Sequence, residues 1–73
     1  MNNATNTATR TILARHLVPG EYVELGPNAN AKVIAVSTPV KSGLVTNVAL
    51  ALEFDDTVTA SIVPANERFE VLS

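Results

Sequence analysis

Short apolar runs alternate with turn-forming residues along most of the chain. Ten valines and eight threonines supply β-branched side chains, which favour the pleated surface of a strand. We predict strands at about 10–15, 21–25, 31–37, 44–54, 57–63 and 69–72. Turn residues separate these runs, at Pro19-Gly20, Gly26-Pro27-Asn28, Ser37-Thr38-Pro39, Ser42-Gly43, Asp55-Asp56 and Pro64-Ala65-Asn66. This spacing predicts a small antiparallel barrel or sandwich.

The run 44–54 alternates most regularly. One face carries the larger apolar residues and is predicted to face the core: Leu44, Thr46, Val48, Leu50, Leu52 and Phe54. The other face carries Val45, Asn47, Ala49, Ala51 and Glu53. After the Asp55-Asp56 turn, Val58, Ala60 and Ile62 alternate with hydroxyl residues and are predicted to form an inner face as well. A helix over 44–54 is the alternative, since Ala and Leu are good helix formers.

The two ends of the chain are predicted to differ in order. Residues 1–9 lack large apolar groups, so we expect a loose tail, or an arm that orders on a partner. Residues 10–73 are predicted to form a single small domain. Before its last strand, Pro64 fits the first position of one short 3₁₀ turn over 64–68.

Composition narrows the ways in which so small a chain gains stability. With 73 residues, no cysteine and one histidine, neither disulfides nor thiolate or imidazole metal clusters are available. We therefore predict no cofactor and no metal, and oligomerisation is the stabilising device left open.

Charge and hydropathy bear on partners and location. The net charge of −2 counts against nucleic-acid binding without excluding it. The first residues show neither the basic nor the apolar segment of a signal peptide, and no apolar run is long enough to cross a bilayer. The expectation is a cytoplasmic protein that does not contact membranes.

Several short motifs resemble those of SH3-like small barrels, including KOW-type domains. Leu17-Val18-Pro19-Gly20-Glu21-Tyr22-Val23 looks like their opening turn, and the run 32–36 falls where their next strand lies. Phe54-Asp55-Asp56-Thr57 is similar to their hairpin, with Thr57 where glycine is usual, and 67–72 looks like their closing strand. The resemblance implies an all-β barrel of five to six strands that binds proteins, nucleic acids or ligands and seldom acts as an enzyme. The chain also resembles short accessory proteins of bacteriophages and actinobacteria.

Catalytic patterns are weak in this sequence. His16 is the single imidazole, so a nucleophilic constellation would need it together with a hydroxyl and an acid such as Glu21 or Asp55. No nucleophile-elbow pattern is present, and Lys41-Ser42-Gly43 lacks the glycine-rich lead of a phosphate loop. The prediction is a protein that is not an enzyme.

Two candidate surfaces follow from the strand phases. A self-association or partner face is predicted on the outer side of the long strand, at Val45, Asn47, Ala49 and Ala51. A nucleic-acid or ligand edge is the alternative, built from Arg10, Arg15, His16, Tyr22 and Arg68. We predict a self-associating module that binds a protein or other ligand. The alternatives are a nucleic-acid-binding module and an oligomer that captures a small anionic ligand between subunits.

Overall fold

The computed structural model describes residues 9–27 and 29–72, which form an all-β fold. The strands are β1 (Thr9–Leu13), β2 (Tyr22–Gly26), β3 (Ala29–Val36), β4 (Val40–Ser42), β5 (Val45–Phe54), β6 (Thr57–Pro64) and β7 (Arg68–Leu72). A single 3₁₀ helix, Ala14–His16, is the only helix within these residues. The all-β prediction is confirmed, and the alternative helix over 44–54 is wrong. The predicted tail lies outside the described residues, apart from Thr9, which begins β1.

All seven strands belong to one antiparallel sheet that curls into a half-barrel. Its order is β1-β7-β2-β3-β5-β4, and β6 pairs with the opposite side of β5. The last strand, β7, therefore lies between the first two, with Arg10 and Val23 both opposite Val71. At the other end, β5 is shared by β3 and β4 on one side and by β6 on the other.

The core fills the concave side of the half-barrel. Its nine buried residues are small or β-branched, with two leucines: Ala14, Leu17, Val23, Ala31, Val33, Val48, Leu50, Ala65 and Val71. Five half-buried side chains pack against it, at Ile12, Val36, Leu52, Val63 and Phe69. The alternation of β5 explains its share, since Val48 and Leu50 occupy every second position.

The Pro19-Gly20 corner joins the first part of the chain to the sheet. The Glu21 N–H donates to the Val18 carbonyl at 3.1 Å, and Gly20 has φ of +100°. Proline followed by a residue with positive φ is the signature of a type II turn. Hydrogen bonds from Gly20 N–H to Val33 O (2.8 Å) and from Val33 N–H to Glu21 O (2.7 Å) attach this corner to β3.

The Glu21 side chain ties the corner to β1. Its Oε1 accepts a hydrogen bond from Val18 N–H at 2.7 Å, and its Oε2 accepts one from the Arg10 guanidinium at 2.8 Å. The carboxylate side chain is 19% exposed, whereas that of Arg10 is 55% exposed. Glu21 therefore stabilises the turn and links it to the first strand.

The predicted 3₁₀ turn at 64–68 is misplaced. Residues 64–67 form a β-turn instead, closed by a 2.9 Å hydrogen bond from Glu67 N–H to the Pro64 carbonyl. The 3₁₀ helix lies at Ala14–His16, where the sequence predicted the end of a strand. There the chain leaves the sheet to bury Ala14 and Leu17, and Ala14 N–H donates to Glu67 O at 2.8 Å.

Two bulges change the side to which neighbouring residues point. The pairing of β2 with β3 shifts between Glu24 and Gly26, so Leu25 is extra and is 51% exposed. By alternation Leu25 shares the inward phase of Val23 and is predicted to enter the core, but the bulge leaves it exposed. A second shift, between Val33 and Ala35, leaves Ile34 as the extra residue of β3. A bulge places two residues of one strand opposite a single residue of its partner. Beyond the bulge, the side to which each residue of that strand points is therefore reversed.

The short strand β4 was absent from the prediction. Leu44 was predicted as the first residue of a strand, but it lies in the turn before β5. Ser42 pairs with Val45, so Gly43 and Leu44 form a two-residue turn in which Leu44 is fully exposed. Gly43 has φ of +65°, the conformation that glycine supplies at the first central position of a type II′ turn.

Ser37 continues the sheet across the gap between β3 and β4. Its backbone N–H donates to the Ala49 carbonyl at 3.0 Å, and its Oγ accepts from the Ala49 N–H at 2.9 Å. One residue thus satisfies both backbone groups of Ala49 that face this side of β5.

Candidate interaction surface

The convex side of the β5–β6 hairpin presents apolar side chains to solvent. Because Val48 and Leu50 point into the core, the residues that alternate with them along β5 point outward. Asn47, Ala49 and Ala51 were predicted to lie on the outer side of this strand. Ala49 is exposed, and Asn47 and Ala51 are half-buried, which is consistent with that prediction. Val45, the fourth predicted residue, is 50% exposed.

The hairpin turn decides which residues of β6 join this surface. Asp55 and Asp56 have φ of 54° and 63°, the positive values that a two-residue type I′ turn requires at both central positions. Phe54 consequently lies opposite Thr57, and the two share a face. The next residue, Val58, therefore lies opposite Glu53, on the outer side.

The predicted inward orientation of Val58, Ala60 and Ile62 is wrong. These residues lie opposite Glu53, Ala51 and Ala49, on the outer face. Val58 is 55% exposed and Ile62 is 75% exposed. The hydroxyl residues of β6 occupy the opposite side of the strand. We define the outer apolar face by the exposed or half-buried apolar residues of this side: Ala35, Val40, Val45, Ala49, Ala51, Val58, Ala60 and Ile62.

The shape of the outer apolar face depends on which residues lie opposite one another on neighbouring strands. Ala35, Ala51 and Ala60 form one row of three alanines across β3, β5 and β6. The neighbouring row brings Ile62 beside Ala49. Small side chains leave two shallow hollows on the surface, one of ≈ 330 Å³ that includes Val40, Ala49 and Ile62, and one of ≈ 230 Å³ that includes the alanine row.

Charge is confined to one row of this face. Lys32 lies directly opposite Glu53, and Val58 completes the row on β6. Opposite charges at facing positions of neighbouring strands attract each other, so the row is balanced. The remaining rows of the outer apolar face carry no ionisable side chain.

The five residues of the alternative edge are distributed over the other half of the molecule. Arg15 and His16 are exposed on the 3₁₀ helix, and Arg68 begins β7 opposite Leu13. Arg15 N–H donates to Ala65 O at 3.1 Å, which brings the backbone of the 3₁₀ helix to the turn before β7. Arg15 and Arg68 therefore belong to the same corner of the fold.

Arg10 and Tyr22 lie farther along the sheet. Arg10 is bound to Glu21, and Tyr22 is 47% exposed between Leu72 and Lys32. Acidic groups are interleaved with the basic ones, since Glu70 accepts a hydrogen bond from Thr11 Oγ1 at 2.6 Å on the same strand pair. The structure thus brings three of the five predicted residues, Arg15, His16 and Arg68, to one corner and engages Arg10 in an ion pair.

The described residues contain neither a metal-binding cluster nor a membrane-spanning helix. Across residues 9–27 and 29–72, no three His, Cys, Asp or Glu side chains are grouped so as to hold a metal ion. Over the same ranges, no helix has both the length and the apolar character needed to span a membrane. No protein-family model matches the chain, and no curated protein is significantly similar to it.

Sequence reasoning identified the outer side of β5 but missed the contribution of β6. The available signal was the length of the turn. Two residues between the strands put residue 54 opposite residue 57, so the even positions of β6 must face away from the even positions of β5. The structural roles of Glu21 and Ser37 had no comparable signal, because each depends on contacts between distant segments.

Proposed function

We propose that the chain is a non-enzymatic interaction module that associates with further copies of itself through the outer apolar face. The observation that carries this proposal is the exposure of β-branched side chains around a row of alanines, with Ile62 75% exposed. Contiguous exposed apolar surface is uncommon on monomers and marks sites of association. Covering a side chain such as Ile62 fully contributes about 2 kcal/mol.

A second copy suits this face because the face is electrically balanced. Its one charged row pairs Lys32 with Glu53, so a copy related by a two-fold axis meets no excess of either charge. Alanines at 35, 49, 51 and 60 allow another sheet to approach closely. The curled all-β half-barrel is compatible with a small-barrel fold, and we propose that the chain belongs to the SH3-like class of such barrels, whose members serve as binding modules.

Light scattering coupled to size-exclusion chromatography tests the proposal. We expect a mass above that of a monomer that rises from low to high micromolar concentration. Ala49→Glu and Ala51→Glu each place an unpaired charge on the face and should lower that mass, because a buried lone carboxylate is strongly unfavourable. Thr9→Glu adds the same charge at the exposed start of β1, at the other end of the strand order from β5 and β6, and should leave the mass unchanged.

The proposal has a clear contrary outcome. A monomer throughout the concentration range would remove it, and so would an assembly that tolerates both glutamates. A lower mass for Thr9→Glu as well would show a general effect of charge in place of a specific contact.

A further inference from the structure

The free edge of β6 is the most unusual backbone feature of the molecule. Among the described residues, β6 pairs with β5 alone, and its residues 57–62 are all exposed. From Thr57 to Asn66 the chain contains no charged residue. Long edge strands normally carry charges, bulges or a covering segment, because an open edge pairs with other strands. β6 has none of these along its first six residues.

The direction of the backbone groups on β6 follows from its hydrogen bonds. Ala65 N–H donates to the Thr46 carbonyl at 2.8 Å, so residue 65 faces β5. Pairing continues without a register shift to Phe54 and Thr57, so odd-numbered residues face β5 throughout. Val58, Ala60 and Ile62 therefore direct their N–H and C=O groups to the open edge. Pro64, which has no N–H, points the same way and ends the run of donors.

The side chains of β6 are chemically symmetric about Ala60. Thr59 and Ser61, on either side, both carry hydroxyls, and Val58 and Ile62 are both β-branched aliphatics. One step farther out, Thr57 and Val63 have nearly the same shape. A strand that reads alike in both directions is complementary to a second copy of itself in antiparallel orientation.

We infer that two copies pair edge to edge through β6, antiparallel, with a two-fold axis at Ala60. This inference goes beyond the proposed self-association, because it adds a second contact between copies at an edge that a contact through the outer apolar face leaves open. Ala60 lies opposite Ala60 of the second copy, Val58 opposite Ile62, and Thr59 opposite Ser61. The outward backbone groups of 58, 60 and 62 then exchange roughly six hydrogen bonds, as hydrogen-bonded pairs do in an antiparallel ladder.

Charge supports the same arrangement. The antiparallel register places Asp55 and Asp56 of one copy beside Pro64 and Ala65 of the other, so the two acidic turns lie at opposite ends of the ladder. The Ala65 carbonyl is bound by Arg15 N–H, which sets the 3₁₀ helix with its basic residues near that end. The pairing also joins the two outer apolar faces side by side into one continuous surface.

Cysteine crosslinking tests the register directly, because the chain has no cysteine of its own. In the inferred pair, facing Cα atoms lie about 5.5 Å apart, within the range that a disulfide spans. Ala60→Cys should therefore form a covalent dimer under mild oxidation. Ser61→Cys is the matched control, since its two copies are diagonal neighbours about 8 Å apart and should stay reduced.

Proline substitution provides a second measurement. Ala60→Pro removes an N–H that faces solvent in the monomer, as Pro64 already does, so circular dichroism should show an intact sheet. The dimer dissociation constant should rise about tenfold or more, since each tenfold corresponds to about 1.4 kcal/mol of lost pairing. Thr59→Pro removes an N–H that faces β5 and should instead disrupt the hairpin.

The outcomes separate this inference from the proposed function. Selective crosslinking of Ala60→Cys supports the two-fold pairing, whatever the glutamate variants of the outer face do. A protein that associates and responds to Ala49→Glu, yet crosslinks equally or not at all at positions 60 and 61, would overturn the pairing and leave the proposed function standing. A strictly monomeric protein without crosslinks would overturn both.

Discussion

The strands around β7 and the β5–β6 hairpin use alternating β-branched residues in opposite ways. Around β7, Val23 and Val71 point inward and are completely buried, while the outward positions are mostly polar or charged. On β6, the hydroxyl residues share the inner side and the aliphatic residues point to solvent. Similar composition thus builds a core at one end and an exposed apolar surface at the other. The difference shows that the phase of a strand, which its turn sets, decides which residues are buried more than its amino-acid composition does.

Truncating one aliphatic side chain from each region to alanine should give the largest difference in stability. Leu50→Ala empties a buried position and should lower the free energy of unfolding by about 3 kcal/mol. Ile62→Ala removes a side chain that is 75% exposed and should change it by less than about 0.5 kcal/mol in the monomer. Urea denaturation at low protein concentration measures both values. Similar losses for the two variants would mean that Ile62 is covered within the monomer.

The Pro19-Gly20 corner anchors the packed end and offers the next largest effect. Glu21→Ala removes the acceptor for Val18 N–H and for Arg10, and we expect a loss of about 1.5 kcal/mol. Arg10→Ala should cost less than about 1 kcal/mol, because the arginine partner is 55% exposed and surface ion pairs contribute little. Thermal unfolding of the two variants compares them. A larger loss for Arg10→Ala would assign the effect to the ion pair instead of the turn.

At the hairpin end of the sheet, Ser37 stabilises the structure as Glu21 does at the corner, by accepting a backbone hydrogen bond with its side chain. Ser37→Ala removes the hydroxyl that accepts the Ala49 N–H and should cost about 1 kcal/mol. Hydrogen exchange should show faster exchange at the Ala49 amide with little change at Val23. Ser42→Ala is the matched control, because Ser42 is exposed on β4 and its hydroxyl makes no side-chain hydrogen bond within residues 9–27 and 29–72. Unchanged protection at Ala49 would show that water replaces the hydroxyl without loss.

The acidic turn that sets the phase of β6 gives the smallest expected effect, and its sign is opposite. Asp56 has φ of 63°, a conformation that favours glycine over residues with a Cβ. Asp56→Gly should therefore stabilise the fold by about 0.5–1 kcal/mol. The melting temperature should rise by a few degrees. A decrease would indicate that the aspartate side chain stabilises the turn by more than its backbone conformation costs.

The all-β architecture was accessible from sequence, but the side to which each strand turns was only partly so. Alternation and turn residues located six of the seven strands to within a few residues. In the run 21–25, alternation also predicts Tyr22 outward and Val23 inward, as the structure has them. Leu25 was misassigned because of a bulge that has no distinct sequence signature here. Leu44 was misassigned because Gly43 marked a turn without showing that Leu44 is its second residue.

The candidate surface was half predicted. Val45, Asn47, Ala49 and Ala51 were identified from alternation alone, while the β6 residues beside them were assigned to the core because they are apolar. Apolar character favours burial only when a core is available on that side of the strand. The register of the hairpin, which depends on turn length, overrides that preference.

The position of β7 between β1 and β2 has a consequence for how the chain folds during synthesis. β7 pairs with Thr9–Leu13 through contacts such as Arg10 with Val71, which are among the most distant in sequence. The β5–β6 hairpin needs only local contacts and a two-residue turn, so it forms on the microsecond scale once made. The two first strands acquire their shared neighbour only after the final strand has been translated. We therefore expect the pairing of β7 with β1 to be the late, slow step of folding, because it closes a loop of nearly the whole domain before its contacts stabilise the sheet.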